Sequence, residues 1–360
     1  MRRKAATIYA VGLTLALAAG FLLAFYFAWQ DGTAATVACV VGLALGLILA
    51  PILHELGHVV FAKAQNMDCV YVKCFCLKVY LKDGKKRWSF ASPFAPDETQ
   101  VLPKSGGNMQ KRAAWYTLGG LFFGGVFLVA VAGSATLCCA LGANAYLLWG
   151  ALPYAGYLFF LNALPLEYGG GKTDMLVYRG LKTGADAERT MLAAMEIQGE
   201  LYAGKSFAEI DTRYYFELPQ LREDEPLFAV MLDLKYRYYL ECGDEEKAVE
   251  CLNRLASVSC YLTELETEKV AAELTYLHAI RGDLERAEES SKLCRAFLRG
   301  NTPTAKRVLL AYSKAVGKTD ALPALFSQAE AAMATERLLG VRKFEKILIS
   351  RIERDETGNT

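Results

Sequence analysis

The chain contains an H-E-x-x-H motif, formed by His54, Glu55 and His58, inside a long apolar stretch. Residues four positions apart share one face of a helix, so the two histidines can bind one metal ion together. Glu55 is then placed to act as a general base that takes a proton from water. Between positions 36 and 62 Glu55 is the only acidic residue, and no Lys or Arg occurs. Because ionisable groups are costly in such a segment, we interpret the motif as a functional site rather than a polar patch that contacts neighbouring helices.

A zinc site needs a third protein ligand, and a polar cluster after the last apolar stretch supplies the candidates. Asp174 is the preferred ligand, because a short carboxylate at the start of a helix is held firmly, and Glu167 is the alternative. A simpler interpretation makes Asp174 only the N-cap of that helix. The three consecutive glycines at 169–171 allow unusual backbone angles, so the loop can return Asp174 to the histidines.

Long apolar segments in the first half of the chain predict a polytopic membrane bundle. A span needs about 20 apolar residues. Four transmembrane helices are predicted, near 7–29, 34–62, 113–140 and 144–166. The apolar run of the first segment is too long for a typical signal peptide, so we interpret it as an anchor.

The basic residues predict the orientation of these helices. Lys and Arg are concentrated at the N-terminus and in the loop 63–112, whereas the loops around Asp31 and Gly142 contain none. The positive-inside rule then places both termini and the 63–112 loop in the cytoplasm, and this topology indicates a bacterial plasma membrane. His54 would lie about 13 Å from the cytoplasmic end of its span, at about 1.5 Å per residue. The second polar cluster begins at that same side, so the orientation brings the two clusters together.

The paired motifs resemble those of the intramembrane metalloprotease family typified by site-2 protease. That family has H-E-x-x-H on one span and a later N-x-x-P…D-G motif, which Asn162, Pro165 and Asp174 match here. Gly119-Gly120, on the intervening span, is similar to a small-residue motif of the family. The resemblance covers about residues 34–180. Two departures occur: Gly170 stands where the family aspartate usually lies, and Met175 replaces the glycine that follows it.

The resemblance implies a zinc-dependent endopeptidase that cuts a transmembrane or membrane-anchored peptide near the cytoplasmic face. His54, His58 and Asp174 would hold the zinc, and Glu55 would be the catalytic base. Asn162 and Pro165 would line the substrate groove, although Asn162 is equally well interpreted as a polar cap of its helix end. The alternative from another class is an inactive, protease-like scaffold that recruits partners through its C-terminal region.

The basic loop contains a predicted β-hairpin near 69–92, after which the chain enters the third span. Residues 69–81 are rich in β-branched and aromatic side chains, and Lys82-Asp83-Gly84-Lys85 is typical of a hairpin turn. The hairpin edge can accept an unwound substrate by strand addition. We slightly prefer the alternative, in which a basic, aromatic hairpin rests on the anionic lipid surface. A Val72→Pro substitution is expected to distinguish these two functions.

The transmembrane metalloprotease domain is predicted to span 1–180, and a cytosolic helical domain follows at 181–360. A G-D-x-x-x-A turn at Gly243 recurs at Gly282, and a weaker break occurs at Gly317, so the offsets are 39 and 35 residues. This spacing resembles tetratricopeptide-type hairpins, whose period is about 34 residues and whose stacks form protein-binding surfaces. An irregular helical bundle is the alternative. The charge distribution does not predict nucleic-acid binding, and the cysteines do not form a disulfide framework.

Overall fold

The computed structural model describes residues 2–82, 85–93, 95, 97–168 and 171–357. These residues are mainly helical, with a small sheet, and the chain forms two compact units. Unit 1 comprises Met1–Leu102 and Asn108–Glu188, and unit 2 comprises Pro103–Gly107 and Arg189–Thr360. The division thus differs from the predicted boundary at 180, because the helix that follows Asp174 packs against the membrane helices of unit 1.

The described residues of unit 1 form four long helices and one short helix, besides the first residues of a helix that continues into unit 2. They are α1 (Arg2–Gln30), α2 (Thr33–Ala64), α3 (Met109–Ala140), α4 (Tyr146–Ala163) and α5 (Asp174–Thr183). Among the described helices, three are long and apolar enough to cross a membrane, namely α1 from Ala5 onwards, α2 and α3. Helix α4 occupies the position of the fourth predicted span but has only 18 residues, and its tyrosines, Pro153 and Asn162 lower its hydropathy.

The loop between α2 and α3 forms more strands than predicted. They are β1 (Met67–Cys74), β2 (Leu77–Lys82), β3 (Lys85–Phe90) and β4 (Glu98–Pro103), in the spatial order β3-β2-β1-β4. Residues 69–81, which lead into the turn of the predicted hairpin, fall in two strands, because the chain turns at Phe75, which has a φ of 52°. Val72 therefore lies in an inner strand, and Val72→Pro would disrupt the sheet as a whole rather than one edge. The predicted turn residues Asp83 and Gly84 lie outside the described residues.

Glycines allow the helices of unit 1 to approach closely. Gly57 on α2 faces Gly119 on α3, and a Cβ added at Gly119 would lie 2.8 Å from the carbonyl carbon of Gly57 and 2.9 Å from Cβ of Phe61. Contacts that short do not occur between real side chains, so the two backbones meet only because both residues lack a side chain. This approach is what places α3 against the H-E-x-x-H face of α2.

Unit 2 consists of helices joined by short turns. They are α6 (Asp186–Ala203), which begins in unit 1, α7 (Arg213–Phe216), α8 (Pro226–Cys242), α9 (Glu245–Ser257), α10 (Glu264–Ile280), α11 (Leu284–Leu293), α12 (Arg295–Leu298), α13 (Pro303–Ala315), α14 (Leu322–Thr335) and α15 (Leu339–Thr357). Gly243, Gly282 and Gly317 end α8, α10 and α13 with φ of 79°, 75° and 77°, the left-handed region that glycine adopts without strain. Asp244 and Asp283 then cap the next helices. The predicted breaks therefore coincide with three helix–turn–helix connections.

A buried ion network joins α10, α13 and α15 inside unit 2. Arg307 is fully buried, donates to Glu273 at 2.8 Å and to Glu345 at 2.7 Å, and lies 4.1 Å from the ring centre of Tyr276. Burial alone would raise the pKa of Glu273, but Arg307 and Arg237 hold that pKa below its usual range. Each of these charges has a partner of opposite sign. The network therefore defines how α10, α13 and α15 align within a core that is otherwise mainly apolar.

A small two-stranded ribbon precedes α5. It consists of β5 (Glu167–Tyr168) and β6 (Gly171–Lys172). Two of the three predicted loop glycines, Gly169 and Gly170, lie outside the described residues.

Candidate metal centre

The H-E-x-x-H motif lies on α2, as the sequence predicts, about two to three turns before the end of that helix. His54, Glu55 and His58 are 6%, 5% and 5% exposed. Nδ1 of His58 lies 3.0 Å from the main-chain oxygen of Tyr116 on α3. A hydrogen bond donated from Nδ1 to this carbonyl fixes the ring and leaves the Nε2 lone pair free to bind a cation.

Asp174, at the start of α5, lies beside the two histidines although it is distant from them in sequence. Its Oδ2 lies 3.1 Å from Nε2 of His54 and 3.4 Å from Nε2 of His58, and the two Nε2 atoms are 3.3 Å apart. A tetrahedral zinc with bonds of 2.0–2.1 Å separates its ligand atoms by about 3.3 Å, so the triangle fits that ion. Oδ2 of Asp174 is buried and finds no hydrogen-bond donor among the described residues. When the imidazoles are neutral, three atoms with free lone pairs therefore converge on one point. Such a set of atoms is suited to bind a cation.

Electrostatics keep the Asp174 carboxyl in the form that binds metals. Burial alone would raise its pKa, but the imidazoles of His54 and His58, when protonated, donate to the carboxylate and hold its pKa below the usual range. Asp174 is also the first residue of α5, where the helix dipole favours a negative charge.

Thr173 holds Asp174 in place, and the sequence did not single it out. Its Oγ1 donates to the oxygen of Leu164 at 2.6 Å and accepts from the N–H of Leu166 at 3.0 Å. Thr173 also caps α5, so the interpretation of Asp174 as the N-cap is wrong. Pro165 lies between the two clamped residues and is not among those that line the site cavity. Pro165 therefore forms a rigid connection between the end of α4 and the residues that Thr173 binds.

The rival ligand Glu167 does not reach the histidines. It is exposed on β5, and it does not line the cavity that contains His54, His58 and Asp174. The structure therefore brings together the preferred set of three donors. Among the described residues, these three form the group of His, Cys, Asp and Glu side chains whose geometry suits a metal ion.

The catalytic-base candidate has a partner from the four-stranded sheet. Oγ1 of Thr99 on β4 donates to Oε2 of Glu55 at 2.5 Å, and the hydroxyl of Tyr116 donates to the main-chain oxygen of Thr99 at 2.5 Å. The sequence offered no signal for Thr99, because it lies 44 residues from Glu55 in a loop of unassigned structure. This chain of bonds orients one oxygen of the Glu55 carboxylate.

A cavity of about 700 Å³ opens beside the three donor atoms. Asn162 lines it, as predicted, and its Nδ2 donates to the oxygen of Leu158 at 3.1 Å, one turn earlier on α4. This bond to its own helix agrees with the interpretation as a polar helix-end group and leaves the amide oxygen available for a substrate N–H. The size of the cavity is within the range of small-ligand and peptide sites.

Gly120 makes room for the histidines. A Cβ at this position would lie 2.6 Å from Cε1 and 2.7 Å from Nε2 of His54, and closer still to Nε2 of His58. Because the imidazoles fill the space above Gly120, a larger residue would displace them from Asp174. The Gly119-Gly120 pair thus has two roles, close packing of α3 on α2 and space for the two rings.

Comparisons with protein-family models, with curated proteins and with solved structures found no match for this chain. The resemblance to the site-2 protease family is therefore a prediction from the sequence motifs alone.

Proposed function

We propose that this protein is a zinc-dependent intramembrane endopeptidase. The observation that carries the proposal is the meeting of His54, His58 and Asp174 at zinc-like separations, with Glu55 beside them, in a unit built from apolar helices. The two halves of this site are more than 100 residues apart in the chain. With both imidazoles neutral and their Nε2 atoms unprotonated, the site brings only acceptor atoms to one buried point, which is costly without a cation and favours a metal site over a structural contact.

Each residue of the site has a part in peptide hydrolysis. A zinc ion, when bound by His54, His58 and Asp174, supplies Lewis acidity towards a peptide carbonyl and makes water more acidic. Glu55 takes the proton from water and passes it to the leaving amine. Because Thr99 occupies Oε2 of Glu55, Oε1 is the oxygen that carries this proton. Asn162 accepts a hydrogen bond from the substrate backbone.

The substrate is a membrane-embedded or membrane-anchored peptide that is cut near the cytoplasmic face. A helix in the bilayer satisfies all its own amides, so the substrate must unwind before it is cut. Strand β4 is an outer strand of the described sheet and carries Thr99 to the site, so its edge is suited to pair with the unwound segment.

The wider architecture belongs to the same proposal. Helix α4 crosses the membrane as a fourth, short span beside α2, and both termini lie on the cytoplasmic side of a bacterial plasma membrane. The helical pairs of unit 2 form a tetratricopeptide-like array that offers a surface to a protein partner. A short span is compatible with local thinning of the bilayer around the site.

Zinc content per chain tests the proposal in detergent-purified, full-length protein. We expect about one zinc per chain in the parent, and its loss in both His58→Ala and Asp174→Ala, because each removes one of three ligands. Glu167→Ala is the matched control and should retain the metal. Retention in Asp174→Ala together with loss in Glu167→Ala would show that the wrong carboxylate was assigned.

The catalytic step is tested with Glu55→Gln, which keeps the metal ligands. Membrane peptides that accumulate in cells carrying Glu55→Gln, and not in cells carrying the parent, are the substrate candidates, and mass spectrometry identifies them. A well-folded parent that contains no zinc would instead favour the inactive scaffold, and partners of unit 2 would then be the next object of study.

A further inference from the structure

The four-stranded sheet has one apolar face, which we define by Val72, Cys74, Leu77, Val79, Leu81, Trp88 and Phe90. The strand register places these side chains together, because Val72 pairs with Val79 and Val79 pairs with Trp88, while Cys74, Leu77 and Phe90 pair in the adjacent row. Trp88 and Phe90 are 67% and 74% exposed, and their rings meet edge to face at 5.9 Å. The two largest side chains of this face are therefore exposed.

The opposite face of the sheet carries the polar side chains and is partly covered. Lys73 and Lys78 lie on it, and Lys73 is only 1% exposed, because it donates to Asp97 at 2.8 Å and to the main-chain oxygen of Ala95. An antiparallel sheet in water normally shows the reverse arrangement, with polar residues outward and apolar residues inward. The exposed apolar face thus indicates that this side of the sheet contacts something other than water.

The position of β4 relative to α2 indicates what those surroundings are. Thr99 bonds to Glu55, which lies eight residues before Lys63 near the end of α2, or about 12 Å along the helix axis. Strand β1 also begins at Met67, three residues after α2 ends at Ala64. The β4 edge of the sheet is therefore held beside the last turns of α2, a helix long and apolar enough to cross a membrane.

The charge of the exposed edge strand suits the lipid of this side. Lys86 is exposed on β3, two residues before Trp88, and its pairing with Leu81 places it on the apolar face. Lys85 and Arg87 are exposed on the opposite face of the same strand. A Trp with neighbouring cations is typical of the boundary between acyl chains and headgroups, and the cytoplasmic leaflet contains anionic lipid.

We propose that the apolar face of the sheet docks on the cytoplasmic leaflet of the bilayer. Trp88 and Phe90 enter the boundary between headgroups and acyl chains, and Lys86 of the same face binds anionic headgroups. The docking surface lies away from Thr99, so it is separate from the metal centre, and neither zinc nor catalysis is needed for it. The lipid contact holds the sheet, and with it β4, at a constant depth beside α2.

Fluorescence of Trp88 tests this inference in full-length protein reconstituted in nanodiscs of phosphatidylcholine and phosphatidylglycerol. The emission of Trp88 is the difference between the parent and Trp88→Phe, since the chain has three other tryptophans. Lipids brominated in their upper acyl chains should lower this emission about two-fold or more, and aqueous iodide should leave it nearly unchanged, because an interfacial ring touches lipid and not water. Quenching by iodide without quenching by bromolipid would overturn the proposal.

Three further variants keep the test decisive. Moving the reporter one row along the same face, with Phe90→Trp in the Trp88→Phe background, should restore bromolipid quenching. In the parent, Lys86→Gln should weaken the quenching of Trp88, whereas Lys85→Gln, which removes an exposed cation from the opposite face of the same strand, should not. Equal quenching in the Lys86→Gln and Lys85→Gln variants would overturn the role assigned to anionic lipid.

Discussion

Thr99 is the residue through which the four-stranded sheet contacts Glu55, the proposed catalytic base. Its hydroxyl donates to Glu55, and its main-chain oxygen is held by Tyr116. Thr99→Val keeps the shape of the side chain but removes the donor. We expect the turnover number for cleavage to fall about 10- to 100-fold, the range for loss of a group that orients a metal-site side chain. The Michaelis constant and the zinc content should stay near those of the parent.

Thr99→Ser separates positioning from packing. The serine hydroxyl can still donate to Glu55 although the methyl group is lost, so this variant should recover most of the rate. Equal losses in the serine and valine variants would mean that Thr99 acts only by filling space.

At the scale of the elements, α2 and α3 depend on their glycine contact. Gly119→Ala forces a methyl group against Gly57 and Phe61, and it should destabilise the fold by roughly 1–3 kcal/mol, as overpacking does in other cores. Gly133→Ala is the matched control on the same helix, because no atom lies within 4 Å of the added Cβ. Thermal unfolding in detergent measures both, and a similar midpoint for the two variants would contradict the packing argument.

At the scale of the whole molecule, the predicted topology puts two exposed cysteines on opposite sides of the membrane. Cys139 lies one residue before the end of α3, at the loop assigned to the outside, and Cys260 lies in unit 2. A membrane-impermeant maleimide added to intact cells should therefore label Cys139 and leave Cys260 unmodified, as read by peptide mass spectrometry. Inside-out vesicles are the control and should show the reverse. Labelling of Cys260 in intact cells would contradict a cytoplasmic C-terminus.

The sequence by itself determined the features that depend on local spacing. His54 and His58 share a helix face because they are four residues apart, and the long apolar runs predict helices because a bilayer demands about 20 such residues. The left-handed turns at Gly243 and Gly282 were visible for the same reason, since glycine followed by a capping aspartate is a local signal.

Only the tertiary structure decided the features that depend on contacts distant in sequence. Asp174 and Glu167 are both carboxylates that follow α4. The hydrogen bonds of Thr173 to Leu164 and Leu166, on either side of Pro165, determine which of the two carboxylates reaches the histidines. The turn at Phe75 and the bond from Thr99 to Glu55 had no local signal, because neither residue type favours that conformation or partner by itself. A donor atom's place in space is set by the packing of whole elements, and sequence spacing does not record that packing.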